Sequence, residues 1–148
     1  MKTVAKNKRA YFDYTITDTY EAGVVLTGPE VKSIKLGNIS LKESHAVVTN
    51  GEIFLLNAHI TPYKMAANVE QEPTRSRKLL LKSTEIKSLI GKTKEKGLTL
   101  IPTKMYIKRE LVKVELGLGK GKKKHEKRET IRKKDIERDI ERDLRGKS

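Results

Sequence analysis

The stretch "HAVVTNGEIFLLN" (His45–Asn57) decides the fold class. Two apolar, β-rich runs flank Asn50-Gly51. Asn-Gly is favoured where both central residues of a two-residue hairpin turn need positive φ. The segment therefore predicts an antiparallel hairpin. Working outward, "LTLIPTKMYIKRELVKVELGLG" (Leu98–Gly119) predicts two further strands, with Lys108–Glu110 at their turn. The alternation in "LVKVELGLG" suits a half-buried strand. "YFDYTITDTYEAGVVL" (Tyr11–Leu26), rich in aromatic and β-branched residues, reads as one long strand. "AHITPY" continues extended to Pro62.

Two short helices interrupt the strands. "GPEVKSIKLG" (Gly28–Gly37) has Pro29 and Glu30 at a helix start and Gly37 at its stop. Val31 and Ile34 form its buried side, with Leu36 as a further candidate. "KLLLKSTEIKSLIGKTKEKG" reads as a strand end and then a helix stopped by Gly97. Ser83 is the expected N-cap, with Glu85 too near it for a full capping box. Ile86, Leu89 and Ile90 supply its apolar face. Between the helices, Lys64–Arg77 has no period and reads as a loop. Several strands with two helices predict a mainly β fold, a small antiparallel barrel with short helices attached.

The whole chain has 148 residues and a net charge of +14. That is enough for one domain and a tail, with a field that attracts polyanions. The absence of cysteine excludes disulfides and thiolate metal sites. The charged start "MKTVAKNKRAYFDY" carries no apolar signal core. Apolar runs fall far short of the ~20 residues of a membrane span. A soluble cytoplasmic protein is expected.

Composition changes near Lys120. Residues 120–148 hold 13 Lys and Arg against 7 Asp and Glu, and no aromatic residue. The expected division is a barrel over 1–119 and a basic tail over 120–148. Within the tail, "DIERDIERDLR" (Asp135–Arg145) repeats every four residues, close to a helical turn. Ile136, Ile140 and Leu144 form a narrow apolar stripe. Opposite charges at i,i+3, such as Asp135 and Arg138, add roughly 0.2–0.5 kcal/mol per pair. Such a helix is marginal alone, because nucleation is costly. The tail is expected to be disordered when free and helical when something holds it.

Chemistry-bearing patterns are few. "GLGKGKKKH" lacks the Ser or Thr and the helix start of a phosphate loop, and reads as a flexible hinge. His45, His59 and His125 have no metal-ligand spacing, so no metal or cofactor is expected. No nucleophile signature appears, which argues against an enzyme. The cationic segments say more. "KNKRAYFDY" sets Lys6, Lys8 and Arg9 beside Tyr11, Phe12 and Tyr14, a pattern suited to RNA phosphates and bases. "EPTRSRKLLLK" sets Arg75, Arg77, Lys78 and Lys82 in one segment, and "KGKKKHEKR" begins the tail. The alternatives are a general basic RNA binder and a nuclease with an unrecognised carboxylate site. A membrane-surface helix is disfavoured by the narrow stripe without Trp or Phe.

Several blocks together, "NKRAYFDY", "YEAGVVLTGPEVKSIKLG", "ITPY", "PTRSRKLLL" and "KGKKKHEKRETIRKKDIERDIERDL", resemble the SmpB (small protein B) family along nearly the whole chain. The resemblance implies an oligonucleotide-binding-type barrel, acting as a monomer, that binds the tRNA-like domain of transfer-messenger RNA (tmRNA). It further implies delivery of alanyl-tmRNA to stalled ribosomes. There the tail would become helical against small-subunit rRNA, in the decoding centre and empty mRNA channel. Elongation factor Tu and alanyl-tRNA synthetase are implied only indirectly, through the RNA. Carried over by position, Asn7, Lys8, Glu21 and Leu80 are expected to serve RNA binding, Glu21 and Leu80 by shaping the surface, Tyr14 to help set the resume frame, and Gly121, Lys122 and Lys123 to form the tail entry. Arg9, Arg75, Arg77 and Lys78 join the expected RNA-binding residues on the charge of their segments. His125, Glu126, Lys127, Arg128, Ile136, Ile140 and Leu144 are the expected ribosome-binding tail residues. Pro29, His45 and Glu126 depart from the family's usual residues.

Overall fold

The computed structural model describes residues 1–66 and 68–146, with side chains described as far as Arg138. Its strands are β1 (Lys2–Lys6), β2 (Tyr14–Val24), β3 (Ile39–Ser40), β4 (His45–Thr49), β5 (Glu52–Leu56), β6 (His59–Ile60), β7 (Arg77–Leu80), β8 (Thr99–Lys108) and β9 (Leu111–Gly121). The helices are α1 (Ala10–Asp13), α2 (Gly28–Lys35), α3 (Ser83–Glu95) and α4 (Lys124–Gly146). Seven strands form one antiparallel sheet in the order β1-β8-β9-β2-β7-β5-β4, while β3 and β6 pair separately. The C-terminal half of β8 pairs with β1, and the register shifts on β8 at Pro102/Lys104. Its N-terminal half, at Thr99 and Leu100, faces β4 across a groove lined by Val47, Val48 and Ile90. One bent strand thus serves two neighbours and curls the sheet into the expected mainly β barrel.

The hairpin signals hold. Asn50 and Gly51 have φ of 50° and 75°, and β4 pairs with β5 from His45↔Leu56 to Thr49↔Glu52. The β8–β9 turn uses the same left-handed pair, Arg109 and Glu110, without glycine. Ile53, Leu55, Leu79, Leu100, Met105, Val114, Leu116 and Leu118 fill the barrel. Ile34 of α2 and Leu89 of α3 cover it, both fully buried. At ~1.5–3 kcal/mol per large side chain, this burial is the main favourable term.

Four local readings change. Tyr11–Asp13 belong to α1, not to the long strand, because the chain must turn after β1. Asn7 donates to the Pro102 carbonyl at 3.0 Å, and Arg9 Nε and Nη2 clasp Asp13 at 3.2 and 3.1 Å. These contacts, and burial of Ala10, overrule the β-propensity of the aromatic pair. The N-cap of α3 is Lys82, whose N–H donates to Glu85 Oε1 at 3.1 Å; Ser83 lies inside the helix. Leu36 caps the end of α2 and is exposed, so Ile34 with half-buried Val31 forms that helix's inner side.

The glycines of "GLGKG" are the fourth change. Gly117 and Gly119 are buried strand residues rather than a hinge. A Cβ on Gly119 would collide with the Thr15 carbonyl oxygen, and one on Gly117 would lie 3.0 Å from Ile16. Here β2 bulges and crosses β9 closely, with the register shifting between Ile16 and Asp18.

Candidate nucleic-acid interface

The buried charge comes first, because it decides which cations remain for a ligand. "TGPE" (Thr27–Glu30) starts α2 with a capping box: Glu30 N–H donates to Thr27 Oγ1, and Thr27 N–H donates to Glu30 Oε1 at 2.9 Å. The same carboxylate receives Arg75 Nη2 at 2.6 Å and Arg77 Nε at 2.7 Å. Arg77 is 0% exposed and also donates to the Ala58 and Pro73 carbonyls at 2.8 and 3.1 Å. Burial pushes the Glu30 carboxyl up, but Arg75, the Thr27 N–H and Arg77 outweigh it and hold the group below its usual range. Arg77 therefore cannot offer its charge to phosphate; it ties β7 to α2 and the loop between them. Arg75 is a partner in that cluster, with a third of its side chain exposed.

Asn7 is likewise nearly buried, and it locks the end of β1 to β8 through its side chain and its N–H to the Thr103 carbonyl, at 2.8 Å. That lock projects the next two residues, Lys8 and Arg9, outward. Lys6, Lys8 and Arg9 border a cleft whose floor is Ala5, Ile39 and Leu41 and whose far side carries Lys42. Lys6 and Lys8 also border a second cleft with Tyr11, Lys104 and Lys134. Tyr11 is 54% exposed there. An exposed ring among ammonium groups can stack on a base while the cations meet phosphates. Tyr14 is half-buried at the start of β2, opposite Gly121.

A second group lies at the other end of β2, seven residues or about 23 Å from Tyr14. Tyr106 donates its hydroxyl to Glu21 Oε1 at 2.7 Å, and Lys108 Nζ lies 3.5 Å from Oε2. The Tyr106 donation, joined by the Lys108 charge, holds the Glu21 carboxyl below its usual range against its partial desolvation. Burial, then Glu21, pushes the Tyr106 phenol well above its ordinary value. Leu80 is 51% exposed and leans over Gly23, the position paired with it. Lys78 is exposed and 3.3 Å from Glu52. Glu21 and Leu80 are both exposed on the sheet, and Glu21 pairs with Glu115 on β9, a residue lining the cleft that holds Lys8 and Tyr11.

The tail leaves β9 at Gly121, two residues beyond the expected boundary, and is helical from Lys124. Lys122 is tied to the body, donating to the Tyr11 carbonyl at 2.8 Å and to Thr130 Oγ1 at 2.7 Å. Lys127 is tied as well, 3.3 Å from Asp13. Lys123, His125 and Arg128 are exposed, and Glu126 is half-buried. Ile136 is 53% exposed, and Arg138 meets Asp135 at 2.6 Å as the i,i+3 spacing predicts. The side chains of Ile140 and Leu144 lie outside the described residues. Among the described residues no His, Asp and Glu cluster could hold a metal, and no helix is long and apolar enough to cross a membrane.

The sequence model of the SmpB protein family matches residues 4–146, barrel and tail together. The chain belongs to the SmpB family. It is 51% identical to the SsrA-binding protein of Persephonella marina, over 99% of this chain and 97% of that one. It is 54% identical to the SsrA-binding protein of Thermoanaerobacter pseudethanolicus, over 91% and 86%. A solved structure described as "tmRNA-SmpB: a journey to the center of the bacterial ribosome" contains a chain 46% identical to it, superposing with a TM-score of 0.66 over 80% of this chain and 84% of that one.

Within this SmpB-family chain, sequence reading missed Lys42, Lys104 and Lys134, which reach the clefts from β3's end, β8 and α4. Lys42 and Lys104 each sit alone, and Lys134 ends the short run Arg132–Lys134 inside a tail that is basic throughout, so no local signal singled any of them out. It also missed Asp13 as the body's contact for the tail.

Proposed function

We propose that this chain binds the tRNA-like domain of tmRNA through its barrel and takes alanyl-tmRNA to stalled ribosomes. The tail then enters the decoding centre and empty mRNA channel, allowing the nascent chain to be tagged and the ribosome released. The observation that carries the reading is the family match across both barrel and tail, at 46% identity to a chain solved as tmRNA-SmpB. The clefts around Lys8 and Tyr11 agree with it, since they combine phosphate-binding cations with a stacking ring.

The division of labour follows from the two parts. The barrel, through Gly121, supplies recognition by Lys8, Arg9 and the surface shaped by Glu21 and Leu80. The tail supplies exposed cations at Lys123, His125 and Arg128 and an apolar stripe through Ile136, Ile140 and Leu144. Among the described residues α4 meets the body at its root and again at Lys134, while the stripe residue Ile136 is exposed, so rRNA would hold the helix where the body does not. The protein contributes binding and position and no bond chemistry; peptidyl transfer belongs to the ribosome. Its place is the cytoplasm, where tmRNA and ribosomes meet, and it acts as a monomer.

The test is binding of the intact chain, and of a chain ending at Lys123, to tmRNA and to an elongator tRNA at physiological salt. Preference for tmRNA retained by the shorter chain supports recognition by the barrel. Equal affinity for both RNAs would favour a general basic RNA binder and defeat the proposal.

A further inference from the structure

The root of the tail is held by α1 at several points. Lys122 N–H donates to the Asp13 carbonyl at 2.8 Å, and Lys122 Nζ donates to the Tyr11 carbonyl at 2.8 Å. Both carbonyls belong to the last turn of α1, where they lack helical partners and favour a cation. Lys122 Nζ also donates to Thr130 Oγ1 at 2.7 Å, and Thr130 donates to the Glu126 carbonyl at 3.0 Å, so the first turns of α4 are gathered onto one ammonium. The Asp13 carboxylate completes the contact. It lies 3.3 Å from Lys127 Nζ while it accepts from Arg9 Nε and Nη2. Asp13 and Lys127 are both part-exposed, at 27% and 36%.

A helix fixed at its first turns points in one direction. The 23 residues of α4 span about 34 Å, so a 20° change at the root would move the far end by roughly 12 Å. That leverage makes the root contact matter to whatever the tail must reach.

We propose that Asp13 is a positioning residue: by bridging Arg9 and Lys127 it sets the direction in which the tail helix leaves the RNA-bound barrel. The inference rests on the function proposed above for its consequence, and on geometry alone for its cause. Lys127 then acts from the body side of the helix, while Lys123, His125 and Arg128 face outward.

The chain has no cysteine, so paired labels at Thr19→Cys and Lys133→Cys, both exposed positions, report the barrel-to-tail distance in the full-length protein. Asp13→Lys and Lys127→Glu should each shift that distance or at least double the width of its distribution. The combination Asp13→Lys/Lys127→Glu should restore it. In a reconstituted tagging reaction with tmRNA and stalled ribosomes, each single change should lower the rate at least fivefold, and the exchange should recover it to within twofold. Unchanged distances in both single variants would overturn the inference. So would changed distances with unaltered tagging, or an exchange that restores neither. If the unaltered chain supported no tagging while the distances behaved as stated, the proposed function would fail and the geometric role of Asp13 would stand.

Discussion

Replacing Glu30 by Gln tests the central electrostatic argument. The substitution keeps size and one acceptor oxygen for the Thr27 N–H, but removes the charge facing Arg75 and Arg77. Arg77 has no exposure to water, so its charge would stay buried without a counter-ion. Breaking such a pair costs about 3–5 kcal/mol. With a urea slope of ~2 kcal/mol per molar for a small domain, the midpoint should fall by roughly 1.5–2.5 M at unchanged slope. Arg75→Gln, at a residue one-third exposed, should cost far less, about 1 kcal/mol. The pH dependence has a definite sign. Folding holds the Glu30 carboxyl below the ~4.3 of a free glutamate. Its contribution is therefore complete above that value and lost as pH falls through the lower folded value. Glu30→Gln should flatten this acid limb of stability. A loss below ~1 kcal/mol, or an acid limb identical to that of the unaltered chain, would refute the argument.

Other consequences are equally direct. Gly119→Ala would drive a methyl into the Thr15 carbonyl and should cost at least ~1–3 kcal/mol, read from the thermal midpoint. Tyr106→Phe removes the first cause of the Glu21 shift, so the Glu21 carboxyl should titrate closer to its ordinary range by carboxyl NMR; no change would count against that hydrogen bond. Lys8→Ala should weaken tmRNA binding and reduce the salt slope by about one ion, whereas an unchanged slope would remove Lys8 from the phosphate contacts. Glu at Lys122, Lys123 and Lys127 together should abolish tagging on stalled ribosomes, and normal tagging would contradict the role given to the tail.

The legible parts of this fold are local. Asn50-Gly51 specifies its hairpin by backbone conformation alone, and Gly37 and Gly97 mark helix ends at φ of 81° and 62°. The tail's four-residue period likewise needs no partner to be seen. What stayed hidden depends on residues far away in sequence. Arg77 reads as a surface cation because Glu30, which buries it, is 47 residues distant. Strand β1 has little strand character of its own and exists through pairing with β8. Gly117 and Gly119 resemble a flexible linker until β2 is laid across them. For the site, the motif resemblance named Lys8, Glu21 and Leu80, but only coordinates separate the cations that face a ligand from those already committed to carboxylates and carbonyls.

The pairing of β1 with β8 also sets the order of assembly. Lys2 and Thr3 find Ile107 and Tyr106 only after roughly a hundred further residues have been made. At ~5–20 residues per second, the first strand waits on the order of 5–20 s as an unsatisfied edge. Contacts this distant in sequence slow barrel closure. The N-terminal strand should be the last to gain hydrogen-exchange protection during refolding, and a bulky fusion at Met1 would delay the step that completes the sheet.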